Sequence, residues 1–289
     1  MTGHIAIIGP GRMGLALGTA LTQARAVEQL VFFGRSQEPP PHPLFDGESE
    51  HVSYRTGVGP LPEGITVLIL AVPDDALHGV ANEAAMAGHA PPNCVAFHLS
   101  GALSTDVLGA LHGAGYSLGS LHPLQTVADP WSGADRLRGC SYALAGEPAA
   151  LATGREIVSA LGGRALIVPP TLRPVYHAAA VFASNYVVAA ASVVARTLAE
   201  AGVSEQDAIA AALPLMRGTL DNIEQLGFGA ALTGPVARGD ADTVRLHLSR
   251  LSTPERDLYS ALGRETLRLA RATGLDPARA DEIEALLDA

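Results

Sequence analysis

The hexapeptide Gly9-Pro10-Gly11-Arg12-Met13-Gly14 follows an apolar run, Ile5–Ile8, and opens a stretch with helical spacing. In that setting Gly-x-Gly-x-x-Gly points to a dinucleotide. Gly9 permits a tight turn, Gly11 lets a pyrophosphate approach the backbone, and Gly14 lets the helix pack closely on the sheet. The free N–H groups of the helix N-terminus then face the phosphates. About 20 residues further on, a carboxylate is expected where a ribose 2′-hydroxyl is held. The chain reads Phe33-Gly34-Arg35-Ser36 instead. A guanidinium beside a hydroxyl suits a 2′-phosphate, because its fork bonds phosphate oxygens in pairs. The sequence therefore predicts NADP(H) over NAD(H), with Arg12 assisting; the competing reading of Arg35 is a solvated loop charge. Ala71-Val72-Pro73, ending another strand, is expected to pass along the dinucleotide, and Asp74 to cap the next helix.

Hydride transfer to a carbonyl or imine also needs a donor for the developing negative charge. All 19 basic residues are arginines, so lysine Schiff-base and lysine general-acid chemistry are excluded. Histidine, titrating near neutrality, is the natural replacement. His177 and Asn185 share one apolar helical stretch. Their spacing puts them about 80° apart around a helix and about 12 Å along it, with Ser184 on nearly the same line as His177. His177 also reads as a satisfied polar group inside an apolar helix. His122 is expected to open a turn after a strand, a usual place for reacting groups in open α/β sheets, although a structural turn explains His122-Pro123 as well. Gln125 and Thr126 would be neutral donors for a carboxylate. Ser100, after another strand, is placed for a substrate oxygen or the nicotinamide amide. Arg238 is a candidate carboxylate anchor, or half of a surface pair with Asp240. The histidines have no metal-ligand spacing, and Cys94 and Cys140 form no C-x-x-C or zinc pattern, so no metal is expected.

Positioning these groups takes alternating strands and helices. Ile5–Ile8, Leu30–Phe33, Val67–Val72, Val95–Leu99, Tyr116–Leu121, Tyr142–Ala145 and Ala165–Val168 read as strands. Gly11–Arg25, Asp74–Ala87, Thr105–His112 and Pro148–Leu161 read as the helices between them. Such alternation implies an α/β, Rossmann-type doubly wound, mostly parallel sheet. After Pro169-Pro170 the strand signal ends, and Thr171–Gly202, Ser204–Leu226, Ala241–Leu251, Thr253–Gly274 and Pro277–Leu287 read as helices. The expected organisation is an NADP-binding domain over 1–169 and an all-α substrate and dimerisation domain over 170–289. Thr253 and Asp276, each followed by proline, are expected to cap helices.

Composition limits the partners. Of 289 residues 48% are hydrophobic and 17% charged, so the chain folds around a packed core. A net charge of −10 argues against nucleic acid or an anionic membrane as the main partner. Pro174–Ala195 carries no charged residue. Its polar residues favour a buried helix over a membrane span, with part of its surface covered by a second subunit in a homodimer. No secretory signal is read at the N-terminus, and a reducing cytoplasm is the expected compartment.

Three blocks carry a family resemblance: Leu121-His122-Pro123-Leu124-Gln125-Thr126, Tyr176-His177-Ala178-Ala179-Ala180 continuing to Asn185, and Thr233-Gly234-Pro235-Val236-Ala237-Arg238-Gly239-Asp240. With the glycine loop and the helical second half, the chain resembles the 6-phosphogluconate dehydrogenase-like superfamily, which includes ketopantoate reductase, pyrroline-5-carboxylate reductase and the β-hydroxyacid dehydrogenases. More closely, it is similar to bacterial Rossmann-like oxidoreductases whose C-terminal half is a domain of unknown function. Some members act as alternative ketopantoate reductases. The resemblance implies an NADPH-dependent reductase of a small 2-oxo acid, working between the Rossmann domain and the first C-terminal helix. An imine or pyrroline-5-carboxylate-type reductase and a catalytically silent NADPH-binding sensor are the alternatives. Where ordinary ketopantoate reductases carry a catalytic lysine and two asparagines, this chain has His177, Val181 and Asn185.

Overall fold

The computed structural model describes residues 3–46 and 51–289. Two compact units emerge, Met1–Ser184 and Asn185–Ala289.

The first unit is built on a sheet whose eight described strands run in the order β3-β2-β1-β4-β5-β6-β7-β8. They are β1 (Gly3–Ile8), β2 (Val27–Gly34), β3 (Val52–Thr56), β4 (Val67–Leu70), β5 (Val95–His98), β6 (Ser117–Pro123), β7 (Ser141–Gly146) and β8 (Arg164–Ile167). β1 to β6 pair in parallel; β7 runs antiparallel to β6, and β8 parallel to β7. Helices α1 (Arg12–Gln23), α2 (Leu77–Ala87), α3 (Gly109–Gly113), α4 (Pro130–Leu137) and α5 (Pro148–Ala160) connect them. The central strands are rich in apolar residues because both sheet faces are covered, and β4 is apolar at every position. Ile5, Ile7, Phe32, Val67, Ile69 and Phe97 join one core, and Ala6, Ile8, Val31, Phe33, Leu68 and Leu70 the other. This is the expected doubly wound, mostly parallel sheet.

Two elements depart from expectation. β3 is a five-residue edge strand, Val-Ser-Tyr-Arg-Thr, whose polar content hid it. α4 begins at Pro130, with Asp129 accepting from the Ser132 N–H as its cap.

The expected helix over 171–202 is two helices, α6 (Arg173–Ala183) and α7 (Asn185–Glu200). Ser184 leaves helical geometry (φ −128°, ψ −70°), and its hydroxyl donates to the Ala180 carbonyl at 2.8 Å. Such back-bonding bends helices. The unit boundary therefore falls at 184/185 instead of 169/170, and α6 groups with the sheet. Within one chain Val175, Phe182, Tyr186 and Val188 are exposed.

The second unit is all-helical. α7 is followed by α8 (Glu205–Ala231), α9 (Pro235–Arg238), α10 (Ala241–Arg250), α11 (Thr253–Ala272) and α12 (Pro277–Leu287). α8 kinks at Gly227, whose φ of +74° only glycine adopts readily. Asp276 caps α12 by accepting from the Arg279 N–H, as expected, whereas Ser252 and not Thr253 precedes α11. Val236, Val244, Leu267, Ile283 and Leu287 form its core.

Candidate active site

The glycine loop sits where β1 gives way to α1, and each glycine has a distinct reason. Gly9 has φ +106°, and a Cβ there would lie 2.5 Å from the Ala71 carbonyl oxygen. A Cβ on Gly14 would collide with the Gly9 carbonyl. These two let the loop lie against the end of β4. Gly11 differs: nothing lies within 4 Å of where its Cβ would stand. The first α1 turn has no side-chain cap and no acid, and the first α-helical bond runs from the Leu15 N–H to the Gly11 carbonyl. The N–H groups before it point outward from an accessible backbone, which fits an anionic group.

Arg35 and Ser36 follow β2 and are exposed. The unanticipated β3 fixes this turn. Tyr54 O–H donates to the Ser36 carbonyl at 2.7 Å, Thr56 Oγ1 to the Gln37 carbonyl at 3.3 Å, and the Gly57 N–H to the Gly34 carbonyl at 2.7 Å. The exposed guanidinium thus stands on a pinned backbone near the loop carrying Arg12, since Gly34 abuts Pro10.

Ala71, Val72 and Pro73 leave β4 beside Gly9. Asp74 then opens a short 3₁₀ turn, and Pro73, not Asp74, stands at its cap position. The Asp74 carboxylate instead accepts from Ser100 Oγ at 2.8 Å. Ser100 Oγ in turn accepts from the Ala102 and Leu103 N–H groups at 3.2 and 3.1 Å, which orders the turn after β5.

A cluster of ionisable groups surrounds that turn. His122 lies within β6, paired with Ala143 of β7, instead of opening the turn after it. The Tyr176 hydroxyl is 2.8 Å from His122 Nδ1. The His177 ring stands edge-on to His122 with centroids 6.0 Å apart. A Cβ on Gly101 would lie 2.8 Å from His122 Nε2 and collide with His177 Nδ1, so a side-chain-free residue is required between the rings. Arg173, in the first turn of α6, is fully buried and donates from Nη2 to the Ser100 carbonyl. His98 is buried beneath, its Nδ1 accepting from the Ser100 N–H at 3.2 Å.

Burial and charge set the protonation states. Burial, then the Arg173 charge, then His177, push His122 down to about 4. Burial and Arg173 likewise push His98 to about 3. Burial raises Tyr176 to about 12, with the Arg173 charge opposing. At neutral pH both imidazoles are therefore uncharged and the phenol is protonated. The tautomer in which the Tyr176 O–H donates to Nδ1 places the ring proton of His122 on Nε2, facing Gly101.

Of the expected site residues, the structure brings Ser100, His122 and His177 together, and separately the glycine loop with Ala71 and Val72. Gln125 and Thr126 are exposed, and Gln125 Oε1 accepts from the Thr126 N–H at 2.9 Å. Asn185 begins α7 in the other unit, so it shares no helix with His177. Arg238 is exposed in the second unit, and Asp240 caps α10 through Thr243. Arg173, Tyr176 and Asp74 had no assigned site role in the sequence. The one available signal was an arginine opening an otherwise uncharged apolar helix. Among the described residues no group of three or more His, Cys, Asp or Glu could hold a metal.

Comparison with known proteins now has a site to refer to. The family described as Domain of unknown function (DUF2520) matches residues 140–266. Among solved structures, protein TM1727 from Thermotoga maritima is similar over 93% of this chain and 98% of its own, at 23% identity and a TM-score of 0.71. BF3122 from Bacteroides fragilis is similar over 94% and 98%, at 21% identity and 0.69. Plasmodium falciparum pyrroline carboxylate reductase with NADP bound is similar over 98% and 97%, at 13% identity and 0.60. The chain shares the Rossmann-type fold of these structures. No curated protein matches the sequence.

Proposed function

We propose that the chain is an NADPH-dependent oxidoreductase that reduces a small 2-oxo acid, ketopantoate first, at the Ser100–Gly101 turn. One observation carries the reading. The glycine loop and the His122–Tyr176 pair stand at the same ends of the parallel strands, linked by contact of Gly9 with Ala71 and of Asp74 with Ser100. Ligands of open α/β sheets bind at those carboxyl ends. NADP bound to the Plasmodium neighbour, and the exposed Arg35 here, support the phosphorylated cofactor.

The loop backbone at Gly11 and the first turn of α1 would hold the pyrophosphate, and Arg35 with Ser36 the 2′-phosphate. NADPH held there would supply a hydride to the carbonyl carbon. His122 Nε2 delivers its proton to the developing alkoxide while Nδ1 takes the Tyr176 proton, and the resulting phenolate lies in the field of Arg173. Neutral imidazole in a buried site is a strong hydrogen-bond donor to developing oxyanion charge. His177 Nδ1 borders the same space.

A panel of 2-oxo acids and cyclic imines with NADPH, followed at the nicotinamide absorbance, tests the reading. Turnover of imines alone selects the imine or pyrroline-5-carboxylate-type reaction, which the Plasmodium neighbour favours. Tight NADPH binding with no turnover of any member selects a silent sensor. His122→Ala should lower kcat by roughly 10²–10⁴, the worth of a positioned general acid. Full turnover by His122→Ala, with loss in His177→Ala, would move the donor role to His177.

A homodimer completes the proposal. The stretch Pro170–Glu200 is long and apolar enough to cross a membrane, with mean hydropathy 1.8. Its break at Ser184 leaves helices of 11 and 16 residues, each short of the about 20 a span needs. Tyr186 and Val188 of α7, with Leu213, Leu215, Leu220 and Phe228 of α8, expose apolar surface that a second copy would cover. A sedimentation mass of one chain at micromolar concentration would refute it.

A further inference from the structure

Arg173 is the least compensated group in the first unit. Its side chain is fully buried, yet Nε and Nη1 have no hydrogen-bond partner, and no ion pair to it exists among the described residues. A buried cation is costly unless paired and hydrogen-bonded. The nearest compensation is incomplete. Nη2 meets a neutral acceptor, the Ser100 carbonyl, and the Asp74 carboxylate is engaged by Ser100 Oγ, its charge reaching Arg173 only through space. Both neighbouring imidazoles, His98 and His122, are neutral and supply no negative charge.

A second unpartnered atom borders the same turn. His177 Nδ1 is buried without a hydrogen bond. It faces Gly101 together with His122 Nε2, whose ring is held from the other side by Tyr176. Two polar side chains, Arg173 and His177, thus leave buried nitrogens unsatisfied around one backbone turn. That turn lies under the start of α6, where Leu172 and Pro174 are exposed.

We propose that Arg173 is the anchor for the substrate's carboxylate, held by the guanidinium charge and its unpartnered Nη1–H, with the adjoining carbonyl oxygen directed to His122 Nε2. The substrate class is then a compact acid whose carbonyl or imine carbon itself bears the carboxylate. A ketone lacking that carboxylate lacks its anchor. Arg238, the arginine suggested by sequence pattern, has no part in this arrangement. The inference rests on the reductase reading for the word substrate, but the anion seat itself does not require turnover.

Calorimetric titration of oxalate into the NADP⁺-loaded protein separates the two. Oxalate should bind the wild type, and Arg173→Lys, which keeps a positive charge but loses the guanidinium N–H groups, should bind it at least tenfold more weakly. Oxalate binding that depends on Arg173, with no turnover of any 2-oxo acid, upholds the anchor and removes the reductase reading. Turnover of 2-oxo acids with an unchanged KM in Arg173→Lys overturns the anchor and leaves the reductase. No oxalate binding to the wild type, or binding lost in Arg238→Ala and kept in Arg173→Lys, also overturns it. If Arg173→Lys fails to fold, Gly101→Ala fills the same space with the guanidinium intact. It must abolish oxalate binding, and wild-type affinity in that variant overturns the inference.

Discussion

Gly9 and Gly11 lie two residues apart in one loop and should fail in opposite ways when each is changed to alanine. At Gly9 a side chain must adopt φ +106° and stand 2.5 Å from the Ala71 carbonyl oxygen and 2.9 Å from its carbon. The unfavourable backbone region costs about 1–2 kcal/mol. Overlap with backbone fixed in a central strand adds about 1–3 kcal/mol, as overpacking does elsewhere. Gly9→Ala should therefore lose about 2–5 kcal/mol, read as a lower urea midpoint at unchanged slope. At Gly11 φ is −83° and the space is empty. Gly11→Ala should change stability by less than about 0.5 kcal/mol. The space it fills is the one a pyrophosphate would occupy, so NADPH should bind about tenfold or more weakly, about 1.4 kcal/mol. Fluorescence titration of NADPH and urea unfolding on both variants make the comparison. Undiminished NADPH affinity in Gly11→Ala would refute the placement of the cofactor on this loop.

Other consequences are as specific. Arg35→Ala should erase a preference for NADPH over NADH of at least about tenfold, and equal wild-type affinity for the two would contradict the assignment. Tyr176→Phe should lower kcat about tenfold, near the worth of one neutral hydrogen bond, with KM and NADPH affinity held; an unaltered kcat would show that Tyr176 does not orient His122. His98, neutral in the fold and down near 3, binds a proton more weakly folded than unfolded. Its contribution is complete above about 6.5 and is lost as pH falls toward 3, by up to about 1.4 kcal/mol per pH unit. Urea midpoints between pH 7 and 4 should fall less steeply in His98→Asn, and parallel curves would count against it. Tyr142→Phe removes the hydroxyl that donates to the Leu137 carbonyl at 2.6 Å and leaves it the Cys140 thiol at 3.5 Å, and should cost about 1 kcal/mol in the same assay.

The sheet was legible because apolar runs of β-branched residues and punctuating glycines are local signals. Gly9, Gly14 and Arg35 owe their meaning to spacing along one βαβ unit, which sequence displays directly. Arg173 and Tyr176 do not. They reach Ser100 and His122 across 73 and 54 residues of chain, and nothing near them in sequence records that meeting. β3 was hidden because an edge strand tolerates polar residues, although Tyr54 supports the turn that carries Arg35. The break at Ser184 escaped notice for another reason. No glycine or proline marks it, and its signal is one hydroxyl bonded to its own helix.

The placement of that break bears on how the protein can be taken apart. Asp74, Ser100, His122, Arg173, Tyr176 and His177 all precede residue 185. A chimera joined at 169/170, where the composition changes, would import Arg173, Tyr176 and His177 from its donor and leave their partners behind. One joined at 184/185 would exchange the helical unit as a cassette and leave the reacting cluster native. Residues 140–266, the span matched by the family, cross this seam and carry β7 and β8 away from β6. Excised alone, that segment would present an unpaired strand edge, so the span matched by the family and the compact units do not coincide.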